Sequence, residues 1–517
     1  MSTAPGTLST ALAETARRWP DRPALWFDDR EFTYAQLDGA VSLAAAGLYG
    51  LDLHAGDRLA LMLPNSPLFP IALLGAVRLG ALAVPINPML APQELHYLLA
   101  HSGARALVTL PGLAPAVEAL RAELPDLQHV ITSHEELVGA GSGEAAGAVG
   151  DPDDVAVLFY TSGTTGRPKG AMLSHRNLLF DATACAETFG VTEQDNFCAV
   201  LPLFHSFGAT VCLVLPLLTG ARITLVPRFV PRDLLALVEA ERCTLLAGVP
   251  SMYALMLAVR REPEFDLSAL RIVVSGGAPL PLPVQAAFSR RFGVDLLEGY
   301  GPTEASPVVS VNRIGQNVPG SVGPPLPGVA ACIVGDHEVE LPVGEVGEIL
   351  VRGANVMQGY YREPAATAET IRNGWLHTGD LGRVDADGRL YIVDRQKDMI
   401  IVGGLNVYPR EVEDVLEQHP AVAEAAVFGA HCEVRGECVA ACVVLREGQQ
   451  VDEAALLAHC RGRLAAFKVP RRVIIGADLP RSATSKVLKQ ALREQYAEVV
   501  ARRLSVPEPA AEEIGSV

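Results

Sequence analysis

Short apolar runs alternate with stretches of helical periodicity along most of the chain. The runs Arg58–Leu63, Ala81–Ile86 and Ala106–Leu110 are typical of buried strands, and amphipathic segments separate them. Strand–helix alternation with short connections predicts parallel sheets covered on both faces by helices. The predicted helices of this part are Leu8–Trp19, Thr33–Tyr49, Phe69–Leu79, Pro92–Ser102, Arg176–Phe189 and Pro231–Glu241. Further strands are predicted at Asn196–Leu201, Arg222–Val226, Leu245–Ala247 and Arg271–Ser275.

The pattern changes after about Ala331. Short alternating strands follow at Glu348–Arg352, Gly382–Asp385 and Arg389–Val393, and Asp387-Gly388 is a hairpin signal. A run of five polar residues, 394–398, then precedes a new α/β pattern. We therefore predict an α/β protein with a large N-terminal domain of two αβ-layered subdomains and a small β-rich subdomain, hinged to a small mobile α+β C-terminal domain. The predicted boundaries are 1–394, a hinge at 395–397, 398–505, and a disordered tail at 506–517.

Length and charge narrow the class of protein. A chain of 517 residues is too long for one hydrophobic core. Its net charge of -17, from 59 acidic and 42 basic residues, argues against a nucleic-acid partner. Residues 1–20 lack a charged leader followed by an apolar run, so we expect a cytoplasmic protein. We further expect a monomer or a homodimer. The apolar stretch Leu68–Leu90 is interrupted by Arg78, Pro70 and Pro85, which makes it a poor transmembrane span and leaves peripheral membrane contact open.

The segment Tyr160–Gly170 has the composition of a phosphate-binding loop. It follows the apolar run Val155–Tyr160 and holds four aliphatic hydroxyls, three glycines and Lys169. Glycines allow backbone N–H groups to wrap an anion, hydroxyls add donors, and the lysine adds positive charge. It differs from a Walker A loop because Gly170, not Ser or Thr, follows the lysine. A plain surface turn would need only one or two glycines, so phosphate binding is the favoured interpretation.

Four further polar segments stand out, and each is predicted to follow a strand, where open α/β sheets bind ligands. They are Leu201–Gly208 around His205, the Gly-rich bend Val274–Leu280, Glu298–Ser306 and Gly374–Asp380. Alone, His205 would be a core histidine and the bend an ordinary turn. Taken together, the segments fit an Mg-ATP site. They offer a Tyr that can stack on a base, oxygen ligands for Mg²⁺ and an acidic acceptor for ribose hydroxyls.

In this order and spacing the segments resemble the motifs of the adenylate-forming (AMP-binding) superfamily. That superfamily includes acyl- and aryl-CoA synthetases, peptide-synthetase adenylation domains and beetle luciferases. The resemblance extends from the first helix to about Lys489. The sequences of residues 299–307 and 404–409 most resemble those of fatty-acid–CoA ligases.

The resemblance implies a role for each motif residue. The β- and γ-phosphates would be held by Thr161, Ser162, Gly163, Thr164, Thr165, Gly166 and Lys169. The α-phosphate and Mg²⁺ would be held by Thr303 and Glu304, with Thr161 as a further metal ligand. Adenine would be enclosed by Gly277, Ala278, Pro279, Gly299, Tyr300 and Gly301. Ribose would be bound by Asp380 and Arg395. His205 would border the carboxylate and the acyl tunnel, Lys397 matches the hinge, and Gly403 with Gly404 would meet the pantetheine arm of CoA.

Lys486 matches the C-terminal catalytic lysine of the first half-reaction. The family usually has Gly directly before that lysine, whereas this chain has Ser485. If the loop needs a positive φ there, Ser would cost roughly 1 kcal/mol or more, which puts the placement of Lys486 in question.

The implied activity is activation of a carboxylic acid by ATP as acyl-AMP, followed by transfer to CoA with release of AMP and pyrophosphate. The segments near the acyl site, 204–208, 248–253, 275–277 and 299–307, are apolar and small, which favours a medium- or long-chain fatty acid. Three alternatives stay open: an acyl-AMP ligase loading a separate carrier protein, an aryl-CoA ligase, and, remotely, a non-catalytic ATP-binding protein. A luciferase-type oxygenation has no additional feature in its favour.

Overall fold

The structure, a computed structural model, describes residues 6–139, 150–161, 167–402, 405–432, 436–481 and 487–504. The chain divides into two compact units. Unit 1 contains Met1–Glu345, Ile349–Thr378 and Val384–Tyr391, and unit 2 contains Val346–Glu348, Gly379–Arg383 and Ile392–Val517. The predicted hinge at 395–397 and the domain boundaries around it stay predictions.

Unit 1 contains most of the regular elements. Its helices are α1 (Leu8–Arg18), α2 (Tyr34–Gly50), α3 (Leu68–Leu79), α4 (Pro92–Ser102), α5 (Ala114–Glu118), α6 (His134–Gly139), α7 (His175–Phe189), α8 (Ser206–Ala209), α9 (Leu215–Thr219), α10 (Pro231–Ala240), α11 (Pro250–Ala258), α12 (Leu282–Phe292) and α13 (Pro364–Thr370). The strands in the first 311 residues are β1 (Pro23–Phe27), β2 (Arg30–Thr33), β3 (Arg58–Met62), β4 (Leu82–Pro85), β5 (Ala106–Thr109), β6 (His129–Ile131), β7 (Val155–Thr161), β8 (Lys169–Ser174), β9 (Asn196–Ala199), β10 (Arg222–Leu225), β11 (Leu245–Gly248), β12 (Ile272–Ser275), β13 (Leu296–Tyr300) and β14 (Ser310–Val311).

The stretch from 330 to 395 contributes the remaining strands before the second α/β pattern. They are β15 (Ala330–Val334), β16 (Gly347–Arg352), β17 (Gly359–Tyr360), β18 (Ile371–Arg372), β19 (Trp375–Val384) and β20 (Leu390–Arg395). Among the described residues, β15, β16, β19 and β18 form a sheet in that order, and β20 pairs with β19. This confirms the β-rich subdomain.

Two large sheets form the framework of unit 1. Over the described ranges, one has the strand order β14-β13-β12-β11-β9-β10-β1-β2 and the other β17-β8-β7-β4-β3-β5-β6. The interior pairs are parallel, and the antiparallel pairs lie at the edges, including β7 with β8 and β8 with β17. The predicted parallel α/β arrangement is confirmed.

Local sequence signals explain where several helices begin. Thr33 caps α2 through a reciprocal pair of hydrogen bonds with Gln36, and Ser174 caps α7 in the same way with Asn177. These capping boxes satisfy N–H groups that the first turn leaves without a helical partner. The C-terminus of a different helix, α4, is marked by a glycine. Gly103 adopts a left-handed conformation with φ 61°, which ends the helix.

Unit 2 contains a compact α+β body. Its elements after residue 396 are β21 (Ile400–Val402), β22 (Leu405–Val407), α14 (Pro409–Glu417), β23 (Val422–Cys432), β24 (Gly436–Leu445), α15 (Glu453–Arg461), β25 (Arg472–Gly476) and α16 (Lys489–Leu504). In the part of the chain that is described, the sheet order is β22-β21-β24-β23, with β25 parallel to β24. Val412, Leu416, Val427 and Leu456 are fully buried in one core between the helices and this sheet.

One predicted element is placed differently. The polar segment Gly374–Asp380 was expected to follow a strand, but from Trp375 onward it lies inside β19. Asn373 and Gly374, with φ of 52° and 77°, form the turn between β18 and β19, so the strand begins directly after that turn. The predicted strand Gly382–Asp385 is the end of this longer strand.

No helix in the described ranges combines the length and the hydropathy needed to cross a bilayer.

Candidate functional site

The two ends of the phosphate-binding loop are held together by a strand pair. Thr161 ends β7, Lys169 begins β8, and these two residues are direct partners in the antiparallel register. Ser162, Gly163, Thr164, Thr165 and Gly166 lie outside the described residues. The register brings the first hydroxyl and the lysine of the loop to the same end of the strand pair.

Glu304 lies beside Thr161 although 143 residues separate them in sequence. The Thr161 hydroxyl donates to Glu304 Oε1 at 3.3 Å, and the phenol of Tyr360 donates to the same oxygen at 2.8 Å. Neither hydrogen bond uses Oε2. A carboxylate with one oxygen held by donors and the other available, next to a threonine hydroxyl, is a donor set that fits Mg²⁺. The predicted metal ligands are therefore adjacent.

The turn that carries Glu304 is tightly constrained. Thr303–Ala305 form one turn of 3₁₀ helix after Gly301 and Pro302. A Cβ at Gly301 would lie 1.7 Å from the carbonyl oxygen of Pro307, so only glycine fits there. Ser306 follows with φ 71°, and its hydroxyl donates to the carbonyl of Asn355 at 2.7 Å. Close backbone packing therefore fixes the direction of the Glu304 side chain.

Tyr360 is a site residue that the sequence analysis missed. Its ring lies under Lys169, with Nζ 5.2 Å from the ring centroid, and its hydroxyl contacts Glu304. Burial, and then the negative charge of Glu304, raise the pKa of the Tyr360 phenol. The Gly359-Tyr360-Tyr361 sequence did not indicate this role, because only the pairing of β17 with β8 brings Tyr360 near the loop.

The His205 segment is linked directly to the Glu304 turn. Ser206 Oγ lies 2.9 Å from Thr303 Oγ1, and Ser206 is 1% exposed. His205 caps the short helix α8, and its Nδ1 accepts a hydrogen bond from the N–H of Phe207 at 3.2 Å. The structure thus places His205 one residue from a group that contacts Thr303.

The segments predicted to enclose adenine lie at the ends of neighbouring parallel strands: Gly277, Ala278 and Pro279 follow β12, whereas Gly299 and Tyr300 are the last residues of β13. β12 and β13 pair with Ser275 opposite Glu298, and Glu298 Oε1 accepts a hydrogen bond from the N–H of Leu280 at 2.9 Å. This contact ties the bend that holds Gly277, Ala278 and Pro279 to the strand that ends at Tyr300 and includes Gly299. Gly277 has φ 79°, a conformation that other residues adopt only with strain.

Asp380 and Arg395, both in unit 2, form an ion pair. Arg395 Nε lies 3.1 Å from Asp380 Oδ1, and Asp380 is 5% exposed. The two predicted ribose-binding residues are thus brought together. Close by, burial, followed by the charge of Arg395, lowers the pKa of Lys397. Gly403, Gly404 and Lys486, with Ser485, lie outside the described residues.

The strand pair at the phosphate-binding loop, the adjacent carboxylate and hydroxyl of Glu304 and Thr161, and the glycine-rich bend could together hold the phosphates, the metal ion and the base of a nucleotide. Comparisons with known proteins agree. A family model described as AMP-binding enzyme matches residues 12–361, and one described as AMP-binding enzyme C-terminal domain matches 411–486. The chain therefore belongs to the AMP-binding enzyme family, which confirms the resemblance found in its motifs.

Relatives extend over almost the whole chain. The long-chain-fatty-acid–CoA ligase of Bacillus subtilis (strain 168) is 36% identical, covering 95% of this chain and 95% of its own. Feruloyl-CoA synthase of an Amycolatopsis species is 38% identical, over 93% of this chain and 97% of its own. The crystal structure of ATP-bound MatB from Rhodopseudomonas palustris superposes with a TM-score of 0.89 at 34% identity, covering 96% of this chain and 100% of that one. Within the family, this protein is an AMP-forming acyl-CoA synthetase, an acid–thiol ligase that uses ATP, Mg²⁺ and CoA.

Proposed function

We propose that the protein activates a medium- or long-chain fatty acid as acyl-AMP and transfers the acyl group to CoA, as part of cytoplasmic fatty acid metabolism. The observation that carries the proposal is the convergence of Thr161, Lys169 and Glu304 at the base of one loop. These residues come from distant parts of the chain, and their chemistry is that of a phosphate and metal site.

The first half-reaction forms one bond and breaks another at the α-phosphorus of ATP. A carboxylate oxygen of the acid attacks that phosphorus, and the bond to the bridging oxygen of the β-phosphate breaks, so that pyrophosphate leaves. Lys169 and the loop hydroxyls would hold the β- and γ-phosphates. Mg²⁺ bound by Glu304 and Thr161 would supply positive charge to the phosphate oxygens. Preset cations of this kind lower the barrier because negative charge accumulates there in the transition state.

Lys486 would add a second cation during the same step. An unperturbed lysine, with a pKa of about 10.4, is protonated at neutral pH, so it acts by charge rather than as a base. In the second half-reaction the thiol sulfur of CoA attacks the acyl carbonyl, AMP leaves, and the thiol proton passes to solvent. We propose that the C-terminal domain turns about 395–397 between the two steps, bringing Gly403 and Gly404 to the pantetheine arm.

The residues around the predicted acyl site support an apolar acid. A Cβ at Gly276 would lie 3.0 Å from the ring of Phe207, and one at Gly277 would lie 3.7 Å from Cγ1 of Val249. Phe207 and Val249 therefore pack against the two glycines, so this part of the predicted acyl site is lined by apolar groups, which favours a hydrocarbon over a charged chain. His205, beside Phe207, would border the carboxylate of the acid.

A screen of acids tests the proposal. The full chain is given ATP, Mg²⁺ and each of a series of fatty acids from short to long, and ferulate and benzoate represent aromatic acids. We expect AMP release to be highest with medium- or long-chain fatty acids and to require CoA for turnover. Higher AMP release with the aromatic acids would make the protein an aryl-CoA ligase. Transfer to a phosphopantetheinylated carrier protein but not to CoA would establish the carrier-loading alternative. Light scattering on the same preparation tests the proposed monomer or homodimer.

A further inference from the structure

Tyr360 contacts two oppositely charged side chains of the proposed ATP site. Its hydroxyl contacts Glu304 Oε1 at 2.8 Å, and Lys169 Nζ lies 5.2 Å from its ring centroid. Lys169 and Glu304 are both described residues, and they form no ion pair with each other. The ammonium faces the electron-rich face of the ring, and the carboxylate accepts a hydrogen bond from the hydroxyl at the ring's edge.

Direct pairing of Lys169 with Glu304 would oppose the proposed function. An ammonium bound to the carboxylate would occupy the oxygen available to Mg²⁺, and the carboxylate would neutralise the charge intended for phosphate. Two flexible, oppositely charged side chains that contact the same residue attract each other, and would pair readily if that residue did not hold each of them. Tyr360 holds the carboxylate at its hydroxyl and the ammonium at its ring face, so it can stabilise both partners without neutralising either.

The position of Tyr360 is fixed independently of ligands. It pairs with Ala171 in the β17–β8 ladder, and its N–H donates to the hydroxyl of Thr367 at 2.8 Å. The preceding Gly359 has φ 142°, and a Cβ there would lie 2.6 Å from Thr367 Cγ2. Tyr360 itself is 9% exposed.

We propose that Tyr360 is a positioning residue with two separable tasks, which rest on the proposed function of the site. Its hydroxyl holds Oε1 of Glu304 so that Oε2 is presented to Mg²⁺. Its ring holds the Lys169 ammonium apart from that carboxylate, so that it stays available to the phosphates. Outer partners of metal-binding carboxylates typically alter metal affinity by about 10–100-fold when they are removed.

Two substitutions separate the tasks. Tyr360→Phe removes the hydroxyl and keeps the ring, whereas Tyr360→Leu removes both. Tyr361→Phe is the matched control, because it deletes a neighbouring phenol whose ring contacts His101 and Arg362 instead. ATP binding to the full chain is measured by calorimetry, without acid or CoA, in EDTA and over a series of Mg²⁺ concentrations. Circular dichroism and the thermal midpoint check that each variant is folded.

We expect Tyr360→Phe to bind ATP normally in EDTA and to need about 10-fold more Mg²⁺ for the same gain in affinity. Tyr360→Leu should also bind ATP more weakly in EDTA, because Lys169 pairs with Glu304. Adding Glu304→Gln to Tyr360→Leu should restore that metal-free binding, and Tyr361→Phe should match the wild type.

An unchanged Mg²⁺ dependence in Tyr360→Phe would overturn the first task, and failure of Glu304→Gln to restore binding would overturn the second. These outcomes are distinct from failure of the proposed function, in which the wild-type chain itself would show no Mg²⁺-dependent ATP binding.

Discussion

Ser206 and Thr303 share a hydrogen bond of 2.9 Å between their hydroxyl oxygens. They belong to two motifs 97 residues apart in sequence, one bordering the predicted acid site and the other carrying Glu304. The contact therefore joins the part of the site that would hold the acid to the part that would hold the phosphates. A hydrogen bond between a buried hydroxyl and a half-buried one can contribute to alignment as well as stability.

Removing either hydroxyl should disturb the same alignment. We expect Ser206→Ala and Thr303→Val each to lower kcat/KM for acid-dependent ATP–pyrophosphate exchange by about tenfold, which corresponds to about 1.4 kcal/mol. The double variant should lose little more than Thr303→Val alone, because the hydrogen bond between the two residues is already broken in that variant. Strictly additive losses would show that the two residues act independently.

Gly301→Ala should displace the Glu304 turn. A methyl group there would lie 1.7 Å from the carbonyl oxygen of Pro307, so the backbone must move. We expect Mg²⁺-dependent ATP binding to be lost while the circular dichroism spectrum is retained. Gly293→Ala is the control: Gly293 has φ 70° but no atom within 4 Å of the added carbon. That variant should lose roughly 1 kcal/mol of stability and keep ATP binding. Normal binding by Gly301→Ala would contradict the steric argument.

His175 should make the stability of unit 1 depend on pH. Its Nδ1 accepts a hydrogen bond from the N–H of Leu8 at 3.2 Å, and burial lowers its pKa from 6.5 to about 4. Because the folded state resists protonation, this contribution is fully present above pH 6.5 and is lost as the pH falls towards 4. At 1.36 kcal/mol per pKa unit the loss reaches about 3 kcal/mol.

The measurement for His175 compares urea midpoints of the wild type and His175→Gln between pH 8 and pH 4.5. The wild type should lose more stability than the variant over this range, since glutamine does not titrate. Parallel curves would mean that other groups account for the acid sensitivity.

Lys486→Ala should separate the two half-reactions. The proposed role of this lysine is to stabilise charge while the acyl-adenylate forms, and a thiol takes its place afterwards. We therefore expect loss of ATP–pyrophosphate exchange but near-normal transfer from synthetic acyl-AMP to CoA. Ser485→Gly provides the companion test, because a raised exchange rate would indicate that Ser485 strains the loop. Equal loss of both half-reactions in Lys486→Ala would contradict the two-conformation mechanism.

The local pattern of apolar and polar residues was sufficient to predict most of the helices and strands. It was not sufficient to predict the side-chain contacts within the site. The helix Pro92–Ser102 is found where its apolar spacing predicted it. Strand β8, by contrast, follows a loop of glycines and threonines and had no predicted counterpart. The contact of Tyr360 with Glu304 depends on the pairing of β17 with β8, which local sequence does not encode. The segment Gly374–Asp380 was misplaced because a two-residue turn at Asn373 and Gly374 starts the strand early.

The central claim is that Glu304, with Thr161 and Lys169, belongs to a site that activates an acid with ATP. The most direct measurement is acid-dependent exchange of labelled pyrophosphate into ATP, in the absence of CoA, by the wild type and by Glu304→Gln. The account predicts exchange in the wild type with a fatty acid, none without an acid, and a loss of at least about 100-fold in Glu304→Gln. Wild-type exchange that Glu304→Gln leaves unchanged, or no exchange with any carboxylic acid, would contradict it.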